Sequence, residues 1–153
     1  MIEIKEGLKA PDFKLIGSDD KYHSLSDYIG KKIVLFFYPK DNTPGWTNEA
    51  TSFRDSLSLI ENLNGIVIGI SRDSIASHKK FIDKYNLPFI LLSDSEEVAC
   101  NLYGVLKEKN MYGKKVIGIE RSTFIIDENG IITHILRKVK VDGHIENIIS
   151  LLK

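Results

Sequence analysis

The run Tyr38-Pro39-Lys40-Asp41-Asn42-Thr43-Pro44-Gly45-Trp46-Thr47-Asn48-Glu49-Ala50 is the stretch whose residue types and placing best suit chemistry. It leaves the carboxyl end of an apolar, strand-like segment and enters a helical pattern, and ligands of open α/β sheets bind at such places. Unpaired backbone N–H groups and the positive end of the helix dipole converge there, which favours an anion or a developing negative charge. Every βαβ unit has such a turn, so geometry alone fits a structural role equally well.

Other reactive side chains are few. Cys100 is the only cysteine, which excludes an intramolecular disulfide and a cysteine-based zinc cluster. His23, His78, His134 and His144 are too dispersed for a recognisable metal spacing. No glycine-rich phosphate loop follows either early strand, so neither a metal nor a nucleotide or other cofactor is expected, and a nucleotide-binding domain is disfavoured.

The elements that must position these residues follow from hydropathy. Lys32 to Tyr38 is a continuous apolar, β-rich run, as expected for a strand buried on both faces, and Gly65 to Ile70 repeats the pattern. Between them, Trp46, Ala50, Phe53, Leu57 and Ile60 recur at the one-sided spacing of an amphipathic helix. Strand, helix and strand make a right-handed βαβ unit. A second helix is predicted from Ser74, its cap, to Tyr85, with Ile75, His78, Phe81 and Ile82 on one face. Phe89 to Leu92 reads as a strand and Glu96 to Tyr103 as a short helix. Ser122 to Asp127 and Ile131 to Leu136 flank Asn129-Gly130, a strong hairpin signal. Asp142 is then expected to cap a last helix with Ile145, Ile148, Ile149 and Leu152 on its apolar stripe.

A βαβ half followed by a ββα half is the layout of a thioredoxin-like α/β domain, a central mixed β-sheet flanked by helices. The segment through about Ser24 to Tyr28 is an N-terminal addition to it. At 153 residues the chain suits one domain over residues 1–153. With 42% hydrophobic and 27% charged residues it is globular in composition. Lys plus Arg equals Asp plus Glu at 21 each, so no global field attracts phosphate backbones and nucleic-acid binding is disfavoured. The N-terminal residues carry no signal-peptide pattern and no membrane-length apolar run, from which a cytoplasmic protein without membrane association is expected.

Pro39, Thr43 and position 46 match the peroxiredoxin pattern of Pro, three residues, Thr, two residues, Cys, with Trp46 where the family has its peroxidatic cysteine. Further matches run in order along the chain: Ala10-Pro11-Asp12-Phe13, Ser24-Leu25-Ser26-Asp27-Tyr28, Val34 to Asp41, Phe53-Arg54-Asp55, Leu102-Tyr103-Gly104-Val105 and Gly118 to Phe124. The chain therefore resembles the bacterioferritin comigratory protein, or peroxiredoxin Q, branch of that family. The resemblance implies a thiol peroxidase that reduces hydrogen peroxide or organic hydroperoxides with thioredoxin or another thiol as reductant, acting in antioxidant defence as a monomer or homodimer.

By resemblance, Thr43 hydrogen-bonds the peroxide and the sulfur, Arg121 stabilises thiolate and transition-state charge, Glu49 orients Arg121, and Pro39 shapes and shields the pocket. Each has a structural alternative: Thr43 as a helix cap, Glu49 as a first-turn carboxylate favoured by the dipole, and Arg121 as a solvated residue beginning a strand. Trp46 has no ionisable sulfur and cannot attack a peroxide, so the family reaction lacks its nucleophile. In structural terms it is the first apolar residue of the helical stripe. Cys100 lies outside the Pro39/Thr43 setting and is expected to be a buried small hydrophobe, and Thr51 occupies the position of a resolving cysteine. The leading expectation is a peroxiredoxin inactive as it stands; a non-catalytic thioredoxin-fold binding module is the alternative.

Overall fold

The computed structural model describes residues 4–138 and 144–153, apart from the side chains of Lys109 and Met111. Strand β3 (Lys32–Phe37) organises the rest. Its side chains alternate between two apolar clusters: Ile33, Leu35 and Phe37 face one, and Val34 and Phe36 face the other together with the following Tyr38. A strand buried on both faces cannot alternate polar and apolar residues, which is why it reads as an unbroken hydrophobic run.

β3 pairs in parallel with β4 (Gly65–Ser71) and antiparallel with β8 (Ser122–Ile126). With β1 (Lys14–Gly17), β2 (Tyr22–Ser24), β5 (Ile90–Ser93) and β9 (Ile132–Arg137), these make a seven-stranded mixed sheet in the order β2-β1-β5-β4-β3-β8-β9. Helices α1 (Pro44–Asn62), α2 (Ile75–Tyr85) and α4 (His144–Leu152) pack apolar residues into the cluster that holds Phe36. Ala99 and Cys100 of α3 (Val98–Leu102) join the opposite cluster beside Ala10, Phe13 and Leu25. This is the thioredoxin-like α/β arrangement expected.

Several boundaries differ from expectation for local reasons. The N-terminal addition, expected to run through about Ser24 to Tyr28, contains a hairpin of β1 and β2 that joins the sheet antiparallel to β5 before the 3-10 turn Leu25–Tyr28. α3 is shorter than Glu96 to Tyr103: Glu97 sits at φ 61°, and the Asp94 carboxylate takes the backbone N–H groups of Val98 and Cys100 at 2.8 and 2.7 Å. A ribbon of β6 (Leu106–Met111) and β7 (Lys114–Ile119) stands outside the main sheet and was not anticipated. Its two-residue turn, Tyr112-Gly113, has positive φ at both positions, the geometry of a type I′ turn without the usual asparagine. The β8–β9 hairpin forms as expected. Asp127 Oδ1 accepts the N–H groups of Asn129 and Ile131, and Gly130 at φ 82° completes a three-residue loop. Ser74 caps α2 through the N–H of Ser77. Ile145, Ile148 and Leu152 of α4 are buried, while the cap expected from Asp142 lies outside the described residues.

Two of the short motifs meet in space. The Tyr103 hydroxyl, fully buried, donates to the Pro11 carbonyl at 2.6 Å and ties the N-terminal segment to the end of α3. Tyr103→Phe keeps the ring and leaves that carbonyl without its donor, so it should cost ~1–3 kcal/mol. A urea midpoint that falls with an unchanged slope would confirm this; an unchanged midpoint would refute it.

Candidate functional site

The loop between β3 and α1 is held by a buried polar network centred on Asp41. The Tyr38 hydroxyl donates to Asp41 Oδ1 at 2.7 Å, and the Ser77 hydroxyl donates to Oδ2 at 2.8 Å. His78 Nδ1 lies 2.7 Å from the same Oδ2, and its Nε2 lies 3.0 Å from the Leu92 carbonyl. A carbonyl only accepts, so Nε2 donates in its contact with Leu92. His78 and Asp41 thus hold each other through a 2.7 Å contact inside the protein, with both ring nitrogens facing partners. The Asp41 backbone N–H donates to Asp73 Oδ2 at 2.6 Å, which also accepts from Ser71. Asp41, Asp73 and His78 are the one group of possible metal ligands among the described residues. Their facing atoms are engaged with one another and with Ser71, Ser77 and Leu92. Burial and the Asp41 charge push the Tyr38 phenol well above its ordinary range.

From this anchor the chain turns through Asn42, at φ 59°, and enters α1 with Thr43 as N-cap and Pro44 in the first turn. The side-chain cap of the structural alternative for Thr43 is absent: its hydroxyl donates to the Lys40 carbonyl at 3.0 Å, which turns it back across the loop. Half-buried Pro39 begins the same loop.

Arg121 immediately precedes β8 instead of beginning it. Because Phe37 pairs with Ser122, this residue arrives at the mouth of α1. A Cβ on Gly45 would lie 2.6 Å from both Nη1 and Nη2, so the guanidinium rests against the first turn of the helix in space that only glycine leaves open. Its Nη1 is 4.0 Å from Glu49 Oε2. Glu49 is not the first-turn carboxylate of the structural alternative. It sits beyond the first turn and is 3% exposed. Burial raises its pKa to about 7, opposed by the Arg121 charge.

His144, which sequence reasoning placed only on the last helix and not at this site, reaches the same carboxylate from α4. Its Nε2 is 3.5 Å from Glu49 Oε1 and 3.0 Å from Thr123 Oγ1. The ring packs edge-on against Phe36 and Phe53, and burial lowers its pKa to about 4. Nothing in the spacing of four dispersed histidines signals this meeting. A histidine on an apolar face did offer a signal at His78, where Ile75, Phe81 and Ile82 flank it.

Trp46 turns away from Arg121 into the core. Its ring stacks on Tyr38 at a centroid distance of 4.0 Å and 12° between planes, with Phe36 and Phe81 at 5.9 and 6.3 Å. Only 1% of it is exposed, and its indole Nε1 has no hydrogen-bond partner. The absence of a side chain at Gly69 makes room: a Cβ there would meet Leu91 at 2.7 Å, Tyr38 at 3.3 Å and Trp46 at 3.7 Å. The site therefore gathers Thr43, Glu49, Arg121 and Trp46 around the first turns of α1, and Cys100 lies elsewhere, fully buried in α3. Burial and the neighbouring Asp94 push the Cys100 thiol far above its ordinary value, so a thiolate is not available there.

Residues 7–135 match the model of the AhpC/TSA family. The chain is 50% identical over 151 residues to a peroxiredoxin Bcp of Coxiella burnetii, covering 99% of this chain and 100% of that one. It is 49% identical over 150 residues to peroxiredoxin Bcp of Bacillus subtilis, covering 98% and 96%. Among solved structures, a Cys-to-Ser mutant of peroxiredoxin Q from Xylella fastidiosa superposes with a TM-score of 0.93 at 41% identity, over 99% of this chain and 97% of that one. The bacterioferritin comigratory protein of Xanthomonas campestris, studied for alkyl peroxide reduction activity, superposes with a TM-score of 0.90 at 40% identity, over 97% of both chains.

The Glu49–His144 pair generates opposed dependences of stability on pH. Glu49 has a folded pKa raised from 4.5 to about 7, so its stabilising proton is bound at low pH and lost as pH rises through 7. His144 has a folded pKa lowered from 6.5 to about 4, so its contribution is present above 6.5 and lost as pH falls towards 4. The two slopes offset each other between about pH 4.5 and 6.5. Glu49→Gln should unmask the histidine, with stability falling by up to ~1.4 kcal/mol per unit as pH drops across that window. His144→Phe should reverse the sign. Urea midpoints at three pH values check both, and parallel pH profiles for the two variants would refute the assignment.

Proposed function

The chain belongs to the AhpC/TSA family, in its peroxiredoxin Bcp and peroxiredoxin Q branch, and from that premise we propose a thiol peroxidase scaffold whose peroxidatic position is occupied by Trp46. One observation carries the reading. The Arg121 guanidinium lies on the first turn of α1 against Gly45, with Glu49 beside it, while the next residue along the helix is an indole buried on Tyr38. The electrostatic half of a peroxide site is in place and the nucleophilic half is missing.

In the reaction read onto this site, a thiolate at position 46 attacks the terminal oxygen of a hydroperoxide. An S–O bond forms, the O–O bond breaks, the sulfur is oxidised to a sulfenic acid, and the departing alkoxide or hydroxide takes a proton to leave as alcohol or water. Arg121 and the free N–H groups of the helix start stabilise the thiolate and the charge that moves across the O–O bond. Thr43 supplies a hydroxyl that exchanges its bond to Lys40 for one to the peroxide, Glu49 orients Arg121, and Pro39 walls the pocket. The sulfenic acid returns to the thiol at the expense of thioredoxin or another thiol, since Thr51 provides no resolving sulfur.

As the chain stands, no side chain can begin this sequence. Trp46 lacks a sulfur, and Cys100 is sealed in α3 as a protonated thiol. The reading extends to one domain over residues 1–153, in the cytoplasm, as a monomer or homodimer. No helix among the described residues is long and apolar enough to cross a membrane.

The protein should show no peroxide consumption above background with dithiothreitol or thioredoxin as donor. Trp46→Cys should react with peroxide, and Arg121→Gln added to that variant should slow the reaction by ~10²-fold or more. Turnover by the unaltered chain that vanishes in Cys100→Ser would overturn the inactive reading. A folded Trp46→Cys protein whose new thiol ignores peroxide would overturn the peroxidase site itself.

A further inference from the structure

Glu49 can orient Arg121 only if something orients Glu49. Its carboxylate is 3% exposed, and Arg121 Nη1 stands 4.0 Å off, too far for a direct hydrogen bond. One group approaches the other oxygen: His144 Nε2, 3.5 Å from Oε1, supplied by a helix distant in sequence. That nitrogen also meets Thr123 Oγ1, opposite Phe36 in the β3–β8 pairing, while Phe36 and Phe53 flank the imidazole. The ring is thus fixed by packing on its sides and by hydrogen bonding at its tip.

We propose that His144 is a positioning residue of this site: its single Nε2–H, shared between Thr123 Oγ1 at 3.0 Å and Glu49 Oε1 at 3.5 Å, steers the Glu49 carboxylate towards Arg121 and thereby holds the guanidinium over Gly45. The inference deepens the peroxidase reading and rests on it for its catalytic meaning, though the contact between His144 and Glu49 stands in the chain as it is. The chemistry favours a neutral imidazole here. Burial lowers the pKa of His144 to about 4, so at working pH the ring is an uncharged donor with one N–H to direct. An uncharged donor steers the carboxylate without competing with Arg121 as its counter-charge. A lysine or arginine in the same place would neutralise Glu49 and release the guanidinium. The charged and titratable groups that face the Glu49 carboxylate among the described residues are Arg121, from the residue before β8, and His144, from α4.

The test uses two replacements that separate donor from filler. His144→Phe keeps an aromatic ring between Phe36 and Phe53 and removes the N–H. His144→Gln removes the ring and keeps a donor. In the chain with Trp46 retained, carboxyl carbon NMR should place the Glu49 titration midpoint at least one unit higher in His144→Phe than in the parent, and close to the parent in His144→Gln. With Trp46→Cys added, the peroxide reaction at pH 8 should slow about tenfold or more in His144→Phe and recover to at least half the parent rate in His144→Gln. The new thiol should titrate at higher pH only in His144→Phe. If His144→Phe leaves the Glu49 midpoint where it was, or His144→Gln behaves like His144→Phe, the ring is packing alone and the proposal fails. If the midpoint moves as stated but Trp46→Cys never reacts with peroxide, the peroxidase reading fails and the hold of His144 on Glu49 survives.

Discussion

The register of β3 against its two neighbours is the constraint on which the site depends. β4 runs parallel to it and receives α1 in the crossover, so the loop leaving β3 must open a helix at the carboxyl edge of the sheet. β8 runs antiparallel, so its first residues arrive at that same edge. A helix start with unpaired N–H groups and an arginine from a distant segment are thereby brought together by backbone hydrogen bonds alone. A slip of one residue between Phe37 and Ser122 would carry Arg121 out of reach and turn Thr123 away from His144.

Around that frame the structure handles its buried charges by two different means. Behind the loop, Asp41 and His78 are matched by each other and by further hydrogen-bonding partners. At the helix mouth, Glu49 and His144 are matched incompletely, and burial moves each towards its neutral form. The first arrangement makes a rigid anchor. The second leaves a carboxyl that changes charge near neutrality beside a permanently charged guanidinium.

What could be read from the chain was whatever depends on local periodicity. β3, β4, α1, α2 and the β8–β9 hairpin were legible because burial on one or two faces leaves a repeating mark in hydropathy. Peroxiredoxin membership was legible from short motifs, two of which prove to be halves of one contact between Tyr103 and Pro11. The β6–β7 ribbon was hidden because it buries little: its strands are rich in lysine, and Tyr112 in its turn is fully exposed. The late start of α3 was hidden because one aspartate side chain, Asp94, replaces what would have been the first turn. Glu49 was read by resemblance as the partner of Arg121, but its burial was not legible, since nothing local shows that α4 closes over it. The place of His144 follows only from the packing of α4 against α1. Contacts of this kind are invisible to any window of sequence shorter than the fold.

The seclusion of Cys100 has a consequence for how the molecule meets its surroundings. The sole sulfhydryl of the chain is shut inside a cluster between α3 and the N-terminal addition, with no accessible surface. Two folded copies cannot be bolted together through sulfur, and glutathione cannot cap the thiol without opening the cluster first. The fold is therefore indifferent to whether its compartment is oxidising or reducing, an unusual property for a scaffold whose relatives earn their names from redox chemistry, and any lasting association between copies must be held by noncovalent contacts.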